Sequence, residues 1–436
     1  MKYYLAIDIG ASSGRHIVGY LEDGSIKTDE VYRFPNGMDL LDGHYVWDTK
    51  RLFSEIKEGI KLAIAKYGKI ESLSIDTWGV DYVLMKGDEE VYPTYAYRDS
   101  RMNEVLDSVH AIVPAATLYE RTGIAFEAFN TVYQLYADKI AGRLEGVTDF
   151  LMLPEYFMYK LTGKKTKEFA DATTTGLVNA KTREFDEYLF DALGYPKCLM
   201  KKLSAPGTLV GTLKPEIRDE LGGDLNVVLC ATHDTASAVH AIEMEVNAPY
   251  ISSGTWSLLG VRTEAAITDE KSRLSGYSNE GGVGYNRYQK NITGMWLVQS
   301  LRKELCPDTS YGDIAKMASE SGYTEFFDAN DPSFSAPETM KGAIDAYLSK
   351  RGKPLPETAA DYFNAIYIGL AECYKVSIAD LEANTGKSYP YIYIVGGGAK
   401  NSYLNELTEK ITGKKVVALP IEATAIGNLK IQIERD

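Results

Sequence analysis

Asp8 ends an apolar run, Tyr4-Leu5-Ala6-Ile7, and stands just ahead of a turn of small residues, Gly10-Ala11-Ser12-Ser13-Gly14, closed by one cation, Arg15. Small residues let backbone N–H groups come close to an anion, which is what a phosphate requires. A carboxylate beside such a turn can hold Mg2+ through water. A related patch recurs at Ile251-Ser252-Ser253-Gly254-Thr255-Trp256, and two such turns far apart read as a phosphate gripped from two sides. A candidate base lies in His233-Asp234-Thr235, behind the apolar run from Asn226 to Ala231. A group that takes a proton from a hydroxyl must be a carboxylate or imidazole within hydrogen-bond reach, and Asp234 qualifies by type. A lone Asp at such a place is usually a helix cap, and His233 reads as a satisfied neighbour. Asp76 and Asp81 flank Thr77-Trp78-Gly79, which sets hydrogen-bonding groups beside a flat apolar wall of the kind a sugar uses; a surface loop is the alternative. Gly396-Gly397-Gly398 lets a base or phosphate lie against backbone, or is a plain strand-to-helix link.

These residues need elements to hold them. Residues 3–9 alternate as a strand, and 16–21 read as a second strand ending at Asp23-Gly24, so a hairpin brackets the first turn. Asp48 N-caps a helix with Leu52, Phe53, Ile56, Ile60, Ala63, Ile64 and Tyr67 as its apolar positions and Gly68 past its end. Ile70 to Ile75 returns as a strand running into Asp76. Residues from about 100 to 200 carry helix-like spacing. Asn226 to Ala231 is a short strand that leads to Asp234, with helix from Thr235 to Ala241. Tyr250 to Ser253 and Trp256 to Val261 form a hairpin around Ser253-Gly254-Thr255. A long amphipathic helix spans about 359–385, then Tyr391 to Val395 runs as a strand into the glycines, and Asn401 caps a helix ended by Gly413. Strand, small-residue turn, strand, then helix and strand occurs in both halves, a weak internal duplication.

The 436 residues exceed one ordinary core, so two domains with a cleft are expected, divided near Glu243 to Ala248. A net charge of -14 argues against a general nucleic-acid or membrane-surface binder, yet leaves a local anion site open at physiological screening. Cys198, Cys230, Cys306 and Cys373 form no C-x-x-C pair, so a reducing cytoplasm is the expected compartment. Asp8 breaks the apolar N-terminus before a signal-peptide core can form, and no apolar run reaches membrane-spanning length. No G-x-x-x-x-G-K-[ST] or G-x-G-x-x-G occurs. Gly10-Ala11-Ser12-Ser13-Gly14 does match the hydrolase elbow G-x-S-x-G, but that elbow needs a helix directly after the serine, and a strand is expected here. Tyr285, Tyr288, Met295 and Trp296 read as core rather than a cofactor box.

The order of these segments resembles a known arrangement. The Asp8 to Arg15 turn, then Ser253-Gly254-Thr255, then Gly396-Gly397-Gly398 is similar to the three nucleotide-binding segments of the actin, hexokinase and Hsp70 ATPase superfamily. Within it, Leu153-Pro154-Glu155-Tyr156 through Leu161-Thr162-Gly163 resembles the FGGY family of carbohydrate kinases. Ile75-Asp76-Thr77-Trp78-Gly79-Val80-Asp81, Ala96-Tyr97-Arg98-Asp99-Ser100-Arg101, His233-Asp234-Thr235-Ala236-Ser237-Ala238, Ser252-Ser253-Gly254-Thr255-Trp256-Ser257, Asn279-Glu280-Gly281-Gly282 and Lys290-Asn291-Ile292-Thr293-Gly294-Met295-Trp296-Leu297 are similar to the branch acting on L-rhamnulose.

The resemblance implies an α/β, two-domain actin-like ATPase (ribonuclease H-like) fold with an interdomain catalytic cleft. Residues 1–243 would be the N-terminal domain for sugar and phosphate, and 244–436 the C-terminal domain for nucleotide. It implies ATP with Mg2+, transfer of the γ-phosphoryl group to the 1-hydroxyl of L-rhamnulose, and Asp234 as general base. Asp8 would steady Mg2+ through water, and Ala11, Ser12, Ser13, Gly14 and Arg15 would cradle phosphate. Thr255, Gln299, Gly397 and Gly398 would contact nucleotide, while Gly79, His233, Asp234, Thr235 and Asn291 would hold the sugar. The partners implied are that sugar and ATP, with no nucleic acid and no membrane, in a cytoplasmic monomer or homodimer. Alternatives are a kinase of the same family for fuculose, xylulose or glycerol, or a non-catalytic sensor on the same scaffold. Family members continue for several tens of residues past Glu422 to Asn428, whereas this sequence stops at Asp436, which leads us to expect lower stability with the catalytic set intact.

Overall fold

The computed structural model describes residues 1–244, 246–335, 337–419 and 422–436. The chain packs as two compact units. The first holds residues 1–243, 263–288 and 422–436; the second holds 244–262 and 289–421. The two later segments thus pack with the first unit rather than with their neighbours in sequence.

In the first unit, β1 (Tyr4–Ile9), β2 (Ser13–Glu22) and β3 (Ser25–Pro35) form an antiparallel meander. β4 (Ser72–Thr77), β5 (Leu209–Thr212) and β6 (Asn226–Val228) complete a sheet ordered β5-β6-β4-β1-β2-β3. β1, β4 and β6 run parallel to one another. Leu5, Ile7 and Ile9 of β1 join Leu73 and Ile75 of β4 in a core with Leu52, Ile56 and Ile60 of α1 (Thr49–Tyr67) and Phe157 and Leu161 of α2 (Leu153–Thr162). The Asp48 side chain accepts from Arg51 N at the start of α1, and Gly68 ends it at φ 72, as the capping pattern requires. β3 was not expected, because Asp23-Gly24 looked like an end, and its polar, half-exposed sequence hides the strand. β4 begins two residues later than expected, and β6 ends at Val228.

α3 (Phe169–Thr174) and α4 (Asp234–Ala241) follow in sequence, and the first unit closes with α8 (Ala423–Arg435). The opposite sheet face alternates Tyr4, Ala6 and Asp8 on β1 with Ser72, Ser74 and Asp76 on β4. α8 covers it with Ala425 and Leu429, which pack on Tyr4, Ala6 and Ile17. Its Asn428 and Gln432, one turn apart, bond to the polar positions of β4: Ser72 Oγ donates to Gln432 Oε1 at 2.7 Å, and Asn428 Nδ2 donates to Asp76 Oδ2 at 2.5 Å.

The second unit contains β7 (Tyr250–Ser253), β8 (Trp256–Thr263) up to Arg262, β9 (Asn286–Thr293) from Gln289 onward, β10 (Tyr391–Val395) and β11 (Lys415–Leu419), in the strand order β9-β8-β7-β10-β11; residues 286–288 of β9 belong to the first unit. β7 and β8 are an antiparallel hairpin, while β10 runs parallel to both β7 and β11. Its helices include α5 (Trp296–Leu305), α6 (Ala359–Thr385) and α7 (Ser402–Thr412), the last capped by Asn401 and ended by Gly413 in left-handed backbone. The expected duplication is thus present as a shared strand order: a three-strand stretch, then two parallel strands beside its first strand. Among the described residues no helix is long and apolar enough to cross a membrane.

Candidate phosphate and base site

The parallel strands β1 and β4 and the extension of β6 end on the same sheet edge, where ligands of α/β sheets bind. Asp8 pairs in register with Asp76, and Thr77 bridges to His233, so Asp8, Asp76 and Asp234 all leave that edge.

The turn after β1 is closed by Gly10 N on Ser13 O at 2.9 Å and braced by Asn36, whose Nδ2 donates to Gly10 O at 2.8 Å. A Cβ on Gly14 would lie 2.1 Å from the Phe34 ring, so the backbone passes where only glycine fits. A strand follows Ser13, which removes the hydrolase elbow. Ser12 is exposed, Ala11 and Ser13 are half-buried, and Gly14 is buried. Arg15 does not stand free over this turn. Its guanidinium bonds Asp8 Oδ2 at 2.5 Å and also Glu422. Burial pushes the Asp8 carboxyl up; the Arg15 charge opposes this, and the negative charge of Asp234 adds to it. Asp76 is fully buried and pushed well above the usual carboxylate range, by burial first and by Asp8 second, and among the described residues its Oδ1 has no hydrogen-bond partner.

Beyond β4, a Cβ on Gly79 would sit 2.9 Å from Thr174 Oγ1. Val80 takes φ 69, an outlier for a β-branched residue, and is held there by Thr174 Oγ1 on its N–H and Thr131 Oγ1 on its carbonyl. The Trp78 indole donates to Asp81 Oδ2 at 2.8 Å and lies 4.3 Å from the Trp47 ring. Asp81 accepts from both indoles, from Tyr97 N and from Gln134, so it is a buried anchor beneath the aromatic pair.

Asp234 is the first residue of α4, where an acid is favoured by the helix dipole. Thr235 N and Thr235 Oγ1 both donate to Oδ1, and His233 Nε2 approaches the same oxygen at 3.4 Å. The Asp234 side chain is 32% exposed, against 8% for Asp8. The segment before it is pinned from two sides. Thr232 O accepts from Thr77 N at 2.9 Å, while Thr232 N and Oγ1 donate to Glu168 Oε2 at 3.1 and 3.0 Å. Glu168 also caps α3 by accepting from Ala170 N and Asp171 N. His233 Nδ1 meets Arg287 and Glu280. Sequence reasoning assigned no role to Glu168, Arg287 or Glu280. β9 reads as polar, Asn-Arg-Tyr-Gln-Lys-Asn-Ile-Thr, so nothing in the sequence singled out Arg287; its burial and its partners come only from the fold.

In the second unit, Thr255 stands exposed at the β7–β8 tip. Its carbonyl accepts from Trp296 N at 3.1 Å, and Gly254 O accepts from Met295 N at 3.0 Å, which ties the tip to the start of α5, where Gln299 is half-buried. Gly396 turns at φ 85 against Ser253, and a Cβ on Gly398 would lie 1.9 Å from Ser253 Oγ. Gly397 is exposed, and Asn291 is half-buried on β9. Tyr288 is fully buried and stacks on Tyr277 at 4.6 Å, which makes it core as expected.

Among the described residues no group of three or more His, Cys, Asp or Glu could by itself hold a metal ion. One carboxylate beside a phosphate-type turn instead fits Mg2+, which keeps waters and takes most other ligands from a bound phosphate.

The chain matches the model for the N-terminal domain of the FGGY family of carbohydrate kinases over residues 3–240 and that for its C-terminal domain over 249–433. It is 41% identical over 433 residues to a rhamnulokinase of Oceanobacillus iheyensis, covering 98% of this chain and 92% of that one. It is 40% identical over 436 residues to a rhamnulokinase of Halalkalibacterium halodurans, covering 99% and 93%. Among solved structures, a gluconate kinase from Lactobacillus acidophilus superposes with a TM-score of 0.82 at 18% identity, over 100% of this chain and 89% of the other. The ADP-bound glycerol kinase of Plasmodium falciparum does so with 0.77 at 16% identity, over 100% and 90%. At those identities the structures speak for the fold.

Proposed function

This chain belongs to the FGGY family of carbohydrate kinases, and we propose that within it the substrate is L-rhamnulose, phosphorylated by ATP at the 1-hydroxyl to give L-rhamnulose 1-phosphate and ADP, a step of L-rhamnose breakdown. The observation that carries this reading is agreement with rhamnulokinases at 41% and 40% identity along nearly the whole chain.

Asp234 takes the proton of the sugar hydroxyl. Its support is a carboxylate at a helix start whose two Thr235 donors both fall on Oδ1, which leaves Oδ2 as the oxygen to take the proton. The oxygen then attacks the γ-phosphorus and ADP leaves, a transfer that needs mainly alignment and charge stabilisation. Ala11, Ser12, Ser13 and Gly14 offer backbone to phosphate, and Arg15 offers charge. Asp8 would hold Mg2+ through water, and the ion would supply charge neutralisation at the phosphates. Gly79, His233, Thr235 and Asn291 hold the sugar; Thr255, Gln299, Gly397 and Gly398 serve the nucleotide. On this reading 1–243 carries the sugar and phosphate work and 244–436 the nucleotide work. The compartment is the cytoplasm, supported by four cysteines that are all free, and the working species is a monomer or homodimer.

A coupled ADP-release assay over L-rhamnulose, L-fuculose, D-xylulose and glycerol tests the reading. The expected result is turnover with L-rhamnulose well above the rest. A higher kcat/KM for any other acceptor, or no turnover at all, would overturn it.

A further inference from the structure

Arg287 is fully buried, and its guanidinium is held on three sides within the first unit. Nε donates to Gly281 O at 2.8 Å, and one terminal nitrogen donates both to Glu280 Oε2 at 2.8 Å and to His233 Nδ1 at 2.9 Å. A guanidinium has donors only and keeps its charge. Glu280 Oε2 also lies 3.3 Å from His233 Nδ1, but the guanidinium is nearer, at 2.9 Å, so we read Nδ1 as the acceptor and place the ring proton on Nε2. Nε2 is the nitrogen that looks at Asp234 Oδ1, at 3.4 Å. That distance is long for a formed hydrogen bond and is of the kind that tightens when substrate binds.

The frame around this chain of contacts is rigid. The His233 and Glu280 side chains are 11% and 12% exposed. Gly281 N donates to Thr173 Oγ1 on α3 at 2.7 Å, and a Cβ on Gly281 would lie 2.7 Å from Ala170 Cα. The same helix carries, at its cap, the Glu168 that holds Thr232. The strand end bearing Asp234 is thus gripped by α3 twice, once through Glu168 and once through the Glu280–Arg287 pair.

We propose that Arg287 and Glu280 are positioning residues: Glu280 orients Arg287, Arg287 sets the His233 ring with its proton on Nε2, and that N–H steadies Asp234 through Oδ1. Oδ2 is then left as the oxygen that receives the proton from the sugar hydroxyl. The two Thr235 donors on Oδ1, joined by the His233 N–H when it closes in, keep the carboxylate from turning its bonded edge to the substrate. With the ring flipped or the other tautomer present, an acceptor nitrogen would face a carboxylate and push it away. The inference rests on Asp234 being the base, as stated above.

The test reads the ring nitrogens directly. The full chain has five histidines, so a nitrogen–proton correlation spectrum of histidine-labelled protein is simple, and loss of one ring system in His233→Gln assigns His233. The expected wild-type spectrum has His233 Nδ1 unprotonated and Nε2 protonated. In Arg287→Met the proton redistributes between the nitrogens, and kcat falls about 10–100-fold, the cost of a small misplacement, with both KM values within about threefold. Arg287→Lys, which keeps a donor and the charge, retains the wild-type tautomer and more than half of the lost rate. A wild-type His233 protonated at Nδ1 overturns the proposal, as does an Arg287→Met enzyme with unchanged tautomer or unchanged kcat. If Arg287→Met does not fold, the wild-type spectrum and Arg287→Lys decide. The spectrum needs no turnover, so an enzyme inactive on every sugar would sink the kinase reading while the relay was still judged on its own.

Discussion

Asp234 and Arg15 show how differently one residue can be read alone and in place. Asp234 was nominated by type and by the strand before it, and it stands at the helix start with its bonded oxygen already chosen. Asp234→Asn is expected to lower kcat by about 10²–10⁴, the worth of a positioned base, with the thermal midpoint nearly unmoved. Near-normal ADP release from that variant would remove Asp234 from its role. Arg15 was read as a phosphate contact, yet its partners are Asp8 and Glu422, acids seven and 407 residues away. Only one of these is near in sequence, so the pairing with Glu422 could not be foreseen. Arg15→Ala is expected to raise the KM for ATP and lower kcat while leaving sugar binding intact, as measured by initial rates and by sugar titration of the apoprotein. An unchanged ATP dependence would count against the turn as the phosphate site. Arg287 was invisible for the same reason as Glu422: its meaning lies in the partners.

At the scale of elements, local signals carried furthest. α1 and α7 were legible because a cap, an apolar stripe and a terminal glycine coincide within one helix. β3 was not, since a strand of alternating polar residues takes its identity from the strand it pairs with. The seat of α8 lies beyond local reading altogether. Gly427 lets α8 press against α4, where an added Cβ would come within 1.8 Å of Ser237 O. Gly427→Ala should therefore destabilise the first unit by about 1–3 kcal/mol, the usual cost of overpacking. Urea denaturation reads this as a lower midpoint at constant slope, and a midpoint equal to wild type would show that the helices part freely. Because α8 also carries Asn428 to Asp76, a displaced helix should reduce turnover as well.

At the scale of the whole molecule, buried acids couple stability to pH. Burial pushes the Glu155 carboxyl up to about 7 and the Asp81 carboxyl up to about 6, against opposing hydrogen bonds to each. Both folded values lie above the unfolded ones, so the native chain binds more protons than the unfolded chain in this range. Their contribution is fully present below about pH 4 and is lost as pH rises through about 6 to 7. Glu155→Gln should flatten the fall in unfolding free energy between pH 5 and pH 8. Equal pH slopes for the variant and wild type would contradict the shift.

By itself the sequence determined the class of chemistry and the shared strand pattern of the two halves. Small-residue turns, strand alternation and caps are properties of contiguous residues, and the order of motifs along the chain needs no folding to be read. Only the tertiary structure decided which groups meet: Arg15 with Glu422, Asp76 with Asn428, and His233 with Arg287. Those pairs are separated by tens to hundreds of residues. A buried charge must find its partner wherever packing brings one, so the settings of the candidate site groups are a property of the fold and not of the motif.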